Sequence, residues 1–319
     1  MKVFIGPTPG LAQALADLQE EFPQVQFESS MTAPDMAVAI ADADAYVGML
    51  TRDLFLAARK LQWIQSPSTG VDFYTVIPEL VASNVRLTSA RGVHTSCVAE
   101  STMAMILAIT RGVVRAVKSQ QKHQWAFFEI RSELVELTGS TFGIIGLGAI
   151  GRAIAKRADA FDARVVAVDL APTDKPSYVA ELWGMDRLDE LLRISDYVIV
   201  TVPKTPQTLR MIGLKQIALM KSSAMLVGIS RGGIIDEAAL VSALREKRIA
   251  SAALDVVDPE PPPENSDLWD LENLLLCPHI AGSTQYADQH LLAIFRENLG
   301  RFVHRDFPLL NEVDKKAGY

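Results

Sequence analysis

The hydrophobic positions of this chain alternate between short β-branched runs and longer runs with helical spacing. In the first third, the strand-like runs are separated by amphipathic runs such as Leu11–Glu20 and Met36–Ala41. Alternating strands and helices predict a parallel sheet covered by helices. The predicted strands of this part are Lys2–Ile5, Val25–Glu28, Ala45–Met49, Leu61–Gln65 and Val85–Thr88.

A second α/β part follows a long apolar run, which is expected to form one helix from about Cys97 to Gln121. The strand–helix alternation then resumes and ends in an amphipathic helix at Tyr286–His304. Six strands with intervening helices are typical of a dinucleotide-binding sheet. These strands are Thr141–Ile145, Arg164–Val168, Tyr197–Val202, Met225–Ile229, Ala252–Val256 and Leu274–Leu276. The pattern therefore predicts an α/β fold of two Rossmann- or flavodoxin-like, doubly wound parallel-sheet domains, with the active site in the cleft between them.

A glycine-rich turn of sequence GxGxxG, residues 146–151, joins the first strand of the second part to its helix. In that context the first glycine permits a tight turn, and the second lets a pyrophosphate approach the backbone. The third lets the helix pack close to the strand. The phosphates would lie against the unpaired N–H groups and the positive end of the helix dipole. The predicted contacts are Gly146, Gly148, Ala149, Ile150 and Gly151. The alternative is an ordinary βαβ turn that binds nothing.

An acidic residue, Asp169, stands at the end of the next predicted strand. A carboxylate at this place accepts hydrogen bonds from the adenosine ribose of a dinucleotide. A 2′-phosphate would face a like charge there, so the sequence favours NAD over NADP as the cofactor.

Length, charge and cysteine content narrow the class of protein. A chain of 319 residues is longer than a typical single domain, so two domains are expected. The net charge of −7 argues against a nucleic-acid surface. Two cysteines, Cys97 and Cys277, form no disulfide framework and fit a reducing compartment. The apolar stretch at the N-terminus is too short for a signal peptide or a membrane span. We expect a cytoplasmic protein with no membrane partner and no metal site.

Three chemically active side chains follow strands of the second part. Arg231 comes directly after the strand at Met225–Ile229, Glu260 lies in a proline-rich loop after the next strand, and His279 follows the last strand. The carboxyl ends of parallel strands meet at one edge of a sheet, where ligands bind. Each residue taken alone has another interpretation: a surface cation, a solvated carboxylate and a structural histidine.

Together these three side chains suit the reduction of a 2-keto acid. Hydride transfer to a ketone leaves an oxygen that needs a proton, which His279 would donate. Glu260 nearby would stabilise the imidazolium form. The planar fork of Arg231 matches a substrate carboxylate and polarises the adjacent carbonyl.

The chain resembles the D-isomer-specific 2-hydroxyacid dehydrogenase family over nearly its full length. The motifs that carry the resemblance are residues 146–151 with Asp169, residues 230–240, residues 254–256 with 259–261, and residues 278–282. The resemblance implies a cofactor domain, residues 99–287, inserted into a substrate-binding domain of residues 1–98 and 288–319. It also implies that Arg231 binds the substrate carboxylate and that Glu260 supports His279 as the acid–base residue.

The same resemblance implies further site residues. The N–H groups of Gly70 and Val71 would hold the substrate carboxylate, although an ordinary glycine turn is the alternative at this loop. Asp255 would approach the nicotinamide amide. The other implied cofactor contacts are Thr102, Val202, Pro203, Thr208, Ile229, Ser230, Arg231, His279 and Gly282. Two positions depart from the family pattern: Gly228 replaces a frequent Asn, and Lys204 replaces a common apolar residue.

The resemblance leaves the substrate and one rival class open. Glyoxylate or hydroxypyruvate is the first expectation, followed by larger 2-keto acids. A formate or phosphite dehydrogenase of the same fold, and a NADH-sensing corepressor-like binding protein, are the alternatives. A homodimer is expected, with Trp125, Phe127 and Phe128 at its contact. Packing of these aromatics in the chain's own core is the alternative, and Trp125 could instead reach the active site of a neighbour.

Overall fold

The chain divides into two compact units, each described below by itself. The computed structural model describes the backbone of residues 1–319 and all side chains except those of residues 33 and 34. One unit comprises Met1–His94 and Thr284–Tyr319, and the other comprises Thr95–Ser283. The boundaries thus lie at 94/95 and 283/284. The sequence analysis placed them at 98/99 and 287/288.

Both units are built from strands and helices that alternate along the chain. The strands are β1 (Lys2–Ile5), β2 (Gln26–Ser29), β3 (Ala45–Val47), β4 (Trp63–Gln65), β5 (Arg86–Thr88), β6 (Thr141–Ile145), β7 (Arg164–Asp169), β8 (Glu181–Gly184), β9 (Tyr197–Val200), β10 (Met225–Gly228), β11 (Ser251–Leu254) and β12 (Leu274–Leu276). The helices are α1 (Pro9–Gln13), α2 (Leu15–Glu21), α3 (Ala33–Ala39), α4 (Arg52–Ala57), α5 (Asp72–Thr75), α6 (Pro78–Ala82), α7 (Thr95–Thr110), α8 (Val113–Gln121), α9 (Phe127–Arg131), α10 (Ala149–Asp159), α11 (Leu188–Ile194), α12 (Leu214–Ile217), α13 (Glu237–Arg245) and α14 (Ala287–His304).

The smaller unit contains a five-stranded parallel sheet in the order β2-β1-β3-β4-β5. Its central strands are fully buried, because α14 and α1 pack on one face and α3 to α6 supply the other. On the first face the Trp63 ring stacks against Phe295 of α14 at a centroid distance of 5.7 Å. The five predicted strands are confirmed, but the predicted helix at Leu11–Glu20 is divided at Ala14 into α1 and α2.

The larger unit contains a seven-stranded parallel sheet in the order β12-β11-β10-β9-β6-β7-β8. Every position of β9, β10 and β11 is buried, as expected for a sheet with helices on both faces. The strand order reverses between β6 and β9, which makes the carboxyl ends of these strands the switch point where dinucleotides bind. The two doubly wound α/β sheets confirm the predicted fold class. The sequence predicted six strands here and missed β8, a short edge strand.

The prediction of a single helix from about Cys97 to Gln121 is wrong. The chain forms α7 and α8 instead, bent by 64° relative to each other. The break lies at Gly112, which has a left-handed φ of +67° that favours glycine. No single helix among the described residues is long and apolar enough to span a membrane, although this bent pair passes a test of length and composition.

Candidate active site

The glycine turn has the close contacts that its motif predicts. Gly146 has a φ of +97°, and a Cβ on it would lie 2.9 Å from Cγ1 of Val202. A Cβ on Gly151 would lie only 2.2 Å from the carbonyl oxygen of Gly146, so α10 can pack against this turn only with glycine there. A Cβ on Gly148 would meet no atom within 4 Å. The backbone next to Gly148 is therefore open to a ligand.

The residues around this turn fit a dinucleotide. Gly148 precedes the first residue of α10, and the first N–H groups of a helix have no partner within it. Such a helix start binds phosphate through these groups and the helix dipole. Just after β10, which β9 separates from β6 in the same sheet, the buried hydroxyl oxygen of Ser230 has no hydrogen-bond partner among the described residues. The open cradle at Gly148 and this unpaired hydroxyl suit a polar cofactor along the sheet edge.

Asp169 lies beside the glycine turn, as the sequence predicted. Its carboxylate accepts hydrogen bonds from the Leu147 N–H at 2.6 Å and the Ala171 N–H at 3.0 Å. Arg152, which the sequence analysis missed, donates its Nε–H to the Leu147 carbonyl at 3.0 Å and forms an ion pair with Asp174 at 3.1 Å. The turn is thus held between a carboxylate and a guanidinium, with the carboxylate at the edge where an adenosine ribose would lie.

Replacing Gly151 with alanine is expected to weaken dinucleotide binding by at least about tenfold and to lower the melting temperature. The reason is the 2.2 Å approach of the new Cβ to the Gly146 carbonyl, which would push α10 away from the turn. Titration of NADH fluorescence measures the affinity. Gly148→Ala is the matched control for the fold, because its Cβ meets no protein atom. An unchanged affinity for Gly151→Ala would contradict this role of the turn.

His279 and Glu260 form the hydrogen-bonded pair that the sequence predicted. The His279 Nδ1 atom lies 2.7 Å from Oε2 of Glu260, and the other carboxylate oxygen accepts the Val257 N–H at 3.0 Å. The His279 side chain is 46% exposed and that of Glu260 is 36% exposed. The imidazole is therefore oriented by a fixed carboxylate and remains accessible from solvent.

Asp255 holds the backbone that carries His279. It is only 2% exposed, and its carboxylate accepts the N–H groups of Ile280 at 2.9 Å and Ala281 at 3.0 Å. Its carbonyl oxygen accepts the His279 N–H at 2.9 Å, and His279 itself adopts a left-handed φ of +52°. Burial raises the pKa of Asp255. The structure thus shows Asp255 as a support for the histidine loop, and its predicted contact with the nicotinamide amide stays a prediction.

The loop that carries Arg231 contacts the loop that carries Glu260. A Cβ on Gly232 would lie 1.9 Å from the Val257 carbonyl oxygen, so only glycine permits this approach. Arg231 donates from Nη1 to the Ser230 carbonyl at 2.8 Å and lines a small cavity together with Glu237. The structure therefore brings the segments of all three predicted catalytic residues to one edge of the larger sheet.

The two departures from the family pattern have local explanations. A Cβ on Gly228 would lie 2.9 Å from both Ile235 and Leu254, so these larger side chains occupy the space that another residue would need. Lys204 forms an ion pair with Asp258 at 2.8 Å, and this pair joins the loop after β9 to the loop before Glu260. The lysine is therefore accommodated by an acid two residues before Glu260.

Glu237, which the sequence analysis did not single out, also supports this loop. One oxygen of its half-buried carboxylate accepts the Asp258 N–H at 2.6 Å. Burial, and then the nearby carboxylates of Asp258, Asp236 and Glu260, raise the pKa of Glu237 above its ordinary value of 4.5. Ionisation of Glu237 therefore destabilises the fold as the pH rises from 4.5 through the folded-state pKa, and this cost is fully present above it.

Glu237→Gln is expected to raise the free energy of unfolding at neutral pH. Glutamine keeps an oxygen for the Asp258 N–H but removes the charge that burial disfavours. Below about pH 4 the wild-type carboxyl is mostly protonated in both states, so the gain should disappear there. Urea unfolding of the wild type and of Glu237→Gln, at neutral pH and below about pH 4, measures this difference in the free energy of unfolding. An equal gain at both values would show that the charge is not responsible.

The remaining predicted cofactor residues lie in segments that follow strands of the larger sheet, except Thr102, which lies in α7. Thr208 accepts the Thr205 N–H at 2.8 Å and donates to the Pro203 carbonyl at 2.6 Å, which shapes the segment after β9. Thr102 is buried and donates to the Val98 carbonyl at 2.7 Å within α7. The Gly282 carbonyl accepts from the Cys97 thiol at 3.3 Å. Val202 lies against Gly146, and Ile229 is buried at the end of β10. Their contacts with a cofactor stay predictions.

Gly70 and Val71 lie in the smaller unit, in the loop between β4 and α5. Among the described residues, their N–H groups have no hydrogen-bond acceptor in the protein. The loop before them is closed by Ser66, whose hydroxyl lies 3.1 Å from the Ser68 nitrogen. Two adjacent unpaired N–H groups form the arrangement that a carboxylate requires.

Known proteins resemble this chain in sequence and in structure. The family model described as "D-isomer specific 2-hydroxyacid dehydrogenase, NAD binding domain" matches residues 103–281, more than half of the chain. A glyoxylate reductase of Thermofilum pendens is 36% identical over 314 residues, which cover 95% of this chain and 90% of that protein.

Two further relatives extend the comparison. A D-3-phosphoglycerate dehydrogenase of Methanocaldococcus jannaschii is 36% identical over 92% of this chain, and the match spans 56% of its length. The solved D-isomer specific 2-hydroxyacid dehydrogenase of Xanthobacter autotrophicus, in complex with NADPH, is 25% identical, with a TM-score of 0.85 over 100% of this chain and 99% of that one. The larger unit is thus an NAD-binding domain, and the chain belongs to the D-isomer specific 2-hydroxyacid dehydrogenase family, whose members are NAD(P)-dependent oxidoreductases.

Proposed function

We propose that this protein reduces a 2-keto acid to its D-2-hydroxy acid with NADH. The observation that carries the proposal is the His279–Glu260 pair at 2.7 Å beside the Arg231 loop, on the larger sheet that carries the glycine cradle. Glyoxylate and hydroxypyruvate are the first candidate substrates, in line with the name of the Thermofilum relative, and larger 2-keto acids follow.

In this proposal His279 delivers the proton. With Nδ1–H donated to Glu260, the other ring nitrogen, Nε2, carries the proton that passes to the substrate carbonyl oxygen. Glu260 keeps the ring in this orientation and stabilises its positive charge. Asp255 holds the His279 backbone so that the ring keeps its place during turnover. NADH supplies the hydride when it is bound along the glycine turn.

Arg231 and the Gly70–Val71 loop bind the substrate carboxylate in this proposal. A guanidinium offers two parallel N–H donors to a carboxylate, and the two unpaired backbone N–H groups offer two more. These four donors bind the end of the substrate that all 2-keto acids share. They position the keto carbon but do not contact the rest of the substrate, so they do not select its side chain.

NADH is the proposed cofactor because Asp169 stands at the ribose edge. Its carboxylate would repel the 2′-phosphate of NADPH. The Xanthobacter relative was solved with NADPH, so the coenzyme preference needs a direct comparison in this chain. Matched titrations with NADH and NADPH measure it.

We also propose that the protein acts as a cytoplasmic homodimer. Trp125 is 94% exposed and Phe128 is 77% exposed, so packing in the chain's own core, the alternative considered above, is excluded for them. Val113 and Val117 of α8 expose apolar surface in the same segment. Large exposed aromatics are enriched at interfaces, and a two-fold dimer is the commonest assembly. Cys97 and Cys277 form no disulfide, which fits a reducing compartment. Sedimentation equilibrium tests the dimer.

A steady-state panel tests the proposed reaction. Loss of NADH absorbance is followed with glyoxylate, hydroxypyruvate, pyruvate and branched 2-keto acids, and each assay is repeated with NADPH. We expect turnover with at least one 2-keto acid and a higher kcat/KM with NADH. In a separate assay with NAD+, formation of NADH from formate or phosphite, without turnover of any keto acid, would support a different dehydrogenase. Tight NADH binding without any turnover would support a NADH-sensing binding protein.

A further inference from the structure

A buried polar network in the smaller unit joins its C-terminal part to the Ser66–Gly70 loop. Its three members, Gln65, Thr88 and Asn298, are all 0% exposed. Gln65 is the last residue of β4, Thr88 is the last residue of β5, and Asn298 lies on α14. Buried polar side chains are costly unless they are hydrogen-bonded, so this cluster must be maintained by its contacts.

Gln65 is the centre of the network. Its Oε1 atom accepts hydrogen bonds from the Thr88 hydroxyl at 2.8 Å and from Nδ2 of Asn298 at 3.0 Å. Its Nε2 atom donates to the carbonyl oxygen of Ser66 at 2.9 Å. Thr88 in turn accepts from the Trp63 indole at 2.9 Å. The side chain of Gln65 thus connects two strands and a helix to the first peptide of the loop.

Asn298 brings the C-terminal segment into the same network. Its Oδ1 atom accepts the Leu310 N–H at 2.6 Å, and its Nδ2 atom also donates to the Leu310 carbonyl at 3.1 Å. The next residue, Asn311, accepts the Ser89 N–H with its carbonyl oxygen at 3.0 Å. Hydrogen bonds therefore hold the C-terminal segment against α14 and against the residue that follows β5, next to the strand from which the loop begins.

The loop itself is attached at both sides. The Ser66 N–H donates to the Thr88 carbonyl at 2.8 Å, and the Ala90 N–H donates to the Ser68 carbonyl at 3.0 Å. The Thr69 hydroxyl donates to the Ala90 carbonyl at 3.2 Å. These bonds fix residues 66–69, and the two unpaired N–H groups of Gly70 and Val71 follow directly. A rotation of the Ser66 peptide would change the direction of both groups.

We propose that Gln65 and Asn298 are positioning residues that set the direction of the Gly70 and Val71 N–H groups for the substrate carboxylate. This inference rests on the proposed function of that loop. Apolar residues of similar size would fill the same space without the cost of burying amides. The two amides instead form hydrogen bonds with the Ser66 carbonyl, where the loop begins, and with Leu310 of the C-terminal segment. Such bonds hold the loop in one geometry, which a binding site requires.

Gln65→Met and Asn298→Asp test the proposal in the full-length protein. Methionine keeps the length of the side chain and removes all three hydrogen bonds of Gln65. Aspartate keeps the acceptor for the Leu310 N–H and removes the donor to Gln65. The control is Ile64→Val, which changes a fully buried neighbour on the opposite face of β4 and touches none of these bonds. Hydrogen exchange of the Ser66, Ser68 and Ala90 amides, the KM for the keto acid and the Kd for NADH are measured for each.

For both test variants we expect the hydrogen-bonded amides of Ser66, Ser68 and Ala90 to exchange at least about tenfold faster than in the wild type, and the KM to rise by about tenfold. The Kd for NADH should be unchanged, because the glycine turn lies in the other unit. The proposal would be overturned if the test variants had the same loop exchange rates and the same KM as Ile64→Val. It would also be overturned if their KM rose only together with the Kd for NADH. A wild-type protein that reduces no keto acid would overturn the proposed function, while the exchange rates would still decide whether Gln65 and Asn298 order the loop.

Discussion

Replacing His279 with alanine is expected to lower kcat for keto-acid reduction by about 100- to 10,000-fold. The substitution removes the group that donates a proton to the carbonyl oxygen, and nothing else in the His279–Glu260 pair can replace it. NADH binding should persist, because the cofactor phosphates would lie at the Gly148 turn, whereas the His279 imidazole is hydrogen-bonded to Glu260. Stopped-flow kinetics gives the rate, and NADH fluorescence gives the affinity.

Glu260→Gln provides the matched comparison for His279. Glutamine can still accept the Nδ1–H with its one oxygen, at the cost of the hydrogen bond from the Val257 N–H, and it no longer stabilises the imidazolium charge. Its kcat should therefore lie between those of the wild type and of His279→Ala. If His279→Ala retained wild-type turnover, another group would have to be the proton donor.

Arg231→Ala is expected to lower kcat/KM for the keto acid by about 100-fold. Hydrogen bonds to a charged group contribute about 1.5–3 kcal/mol, and each 1.4 kcal/mol corresponds to about tenfold. Most of the loss should appear in KM, since the guanidinium binds the carboxylate in the ground state as well as in the transition state. Steady-state kinetics with varied keto acid at saturating NADH measures it.

Arg231→Lys separates charge from geometry at this position. Lysine keeps the charge but loses the planar fork, so it should restore only part of the lost kcat/KM. Arg231 also lies next to Gly232, whose close contact with the Val257 carbonyl holds the two loops together. A melting temperature near that of the wild type in both variants would show that the kinetic loss comes from the substrate contact. A kcat/KM unchanged in Arg231→Ala would remove this residue from the carboxylate site.

Local sequence patterns predicted an NAD-binding domain, because the motif that indicates it consists of residues close together in the chain. The glycine spacing of residues 146–151 and the acid at 169 both follow strands with strong hydrophobic runs. The rule that ligands bind at the carboxyl ends of strands then placed Arg231, Glu260 and His279 at one sheet edge. The 2.7 Å contact of Glu260 with His279 agrees with this prediction.

Other features left no local pattern to find. The break at Gly112 was missed because an isolated glycine within a helical run is often tolerated. The residues that pack against this glycine, Ile130 and Leu134, lie about 20 positions further along the chain. The edge strand β8 has four residues without clear alternation. The contact of Gln65 with Asn298 joins residues 233 positions apart, so only the fold brings them together. Asp255 follows β11 and His279 follows β12. Asp255 can hold the His279 loop only because these two strands lie side by side in the sheet.

Transfer of deuterium from NADH that carries deuterium at both hydrogen positions of nicotinamide C4 is the most direct measure of the proposed chemistry. The protein is incubated with the labelled cofactor and the best keto acid of the panel, and the product is analysed by NMR and by chiral separation. The account predicts one deuterium at C2 of the D-2-hydroxy acid for each NADH oxidised. A product without deuterium at C2, or oxidation of NADH without formation of a hydroxy acid, would contradict it.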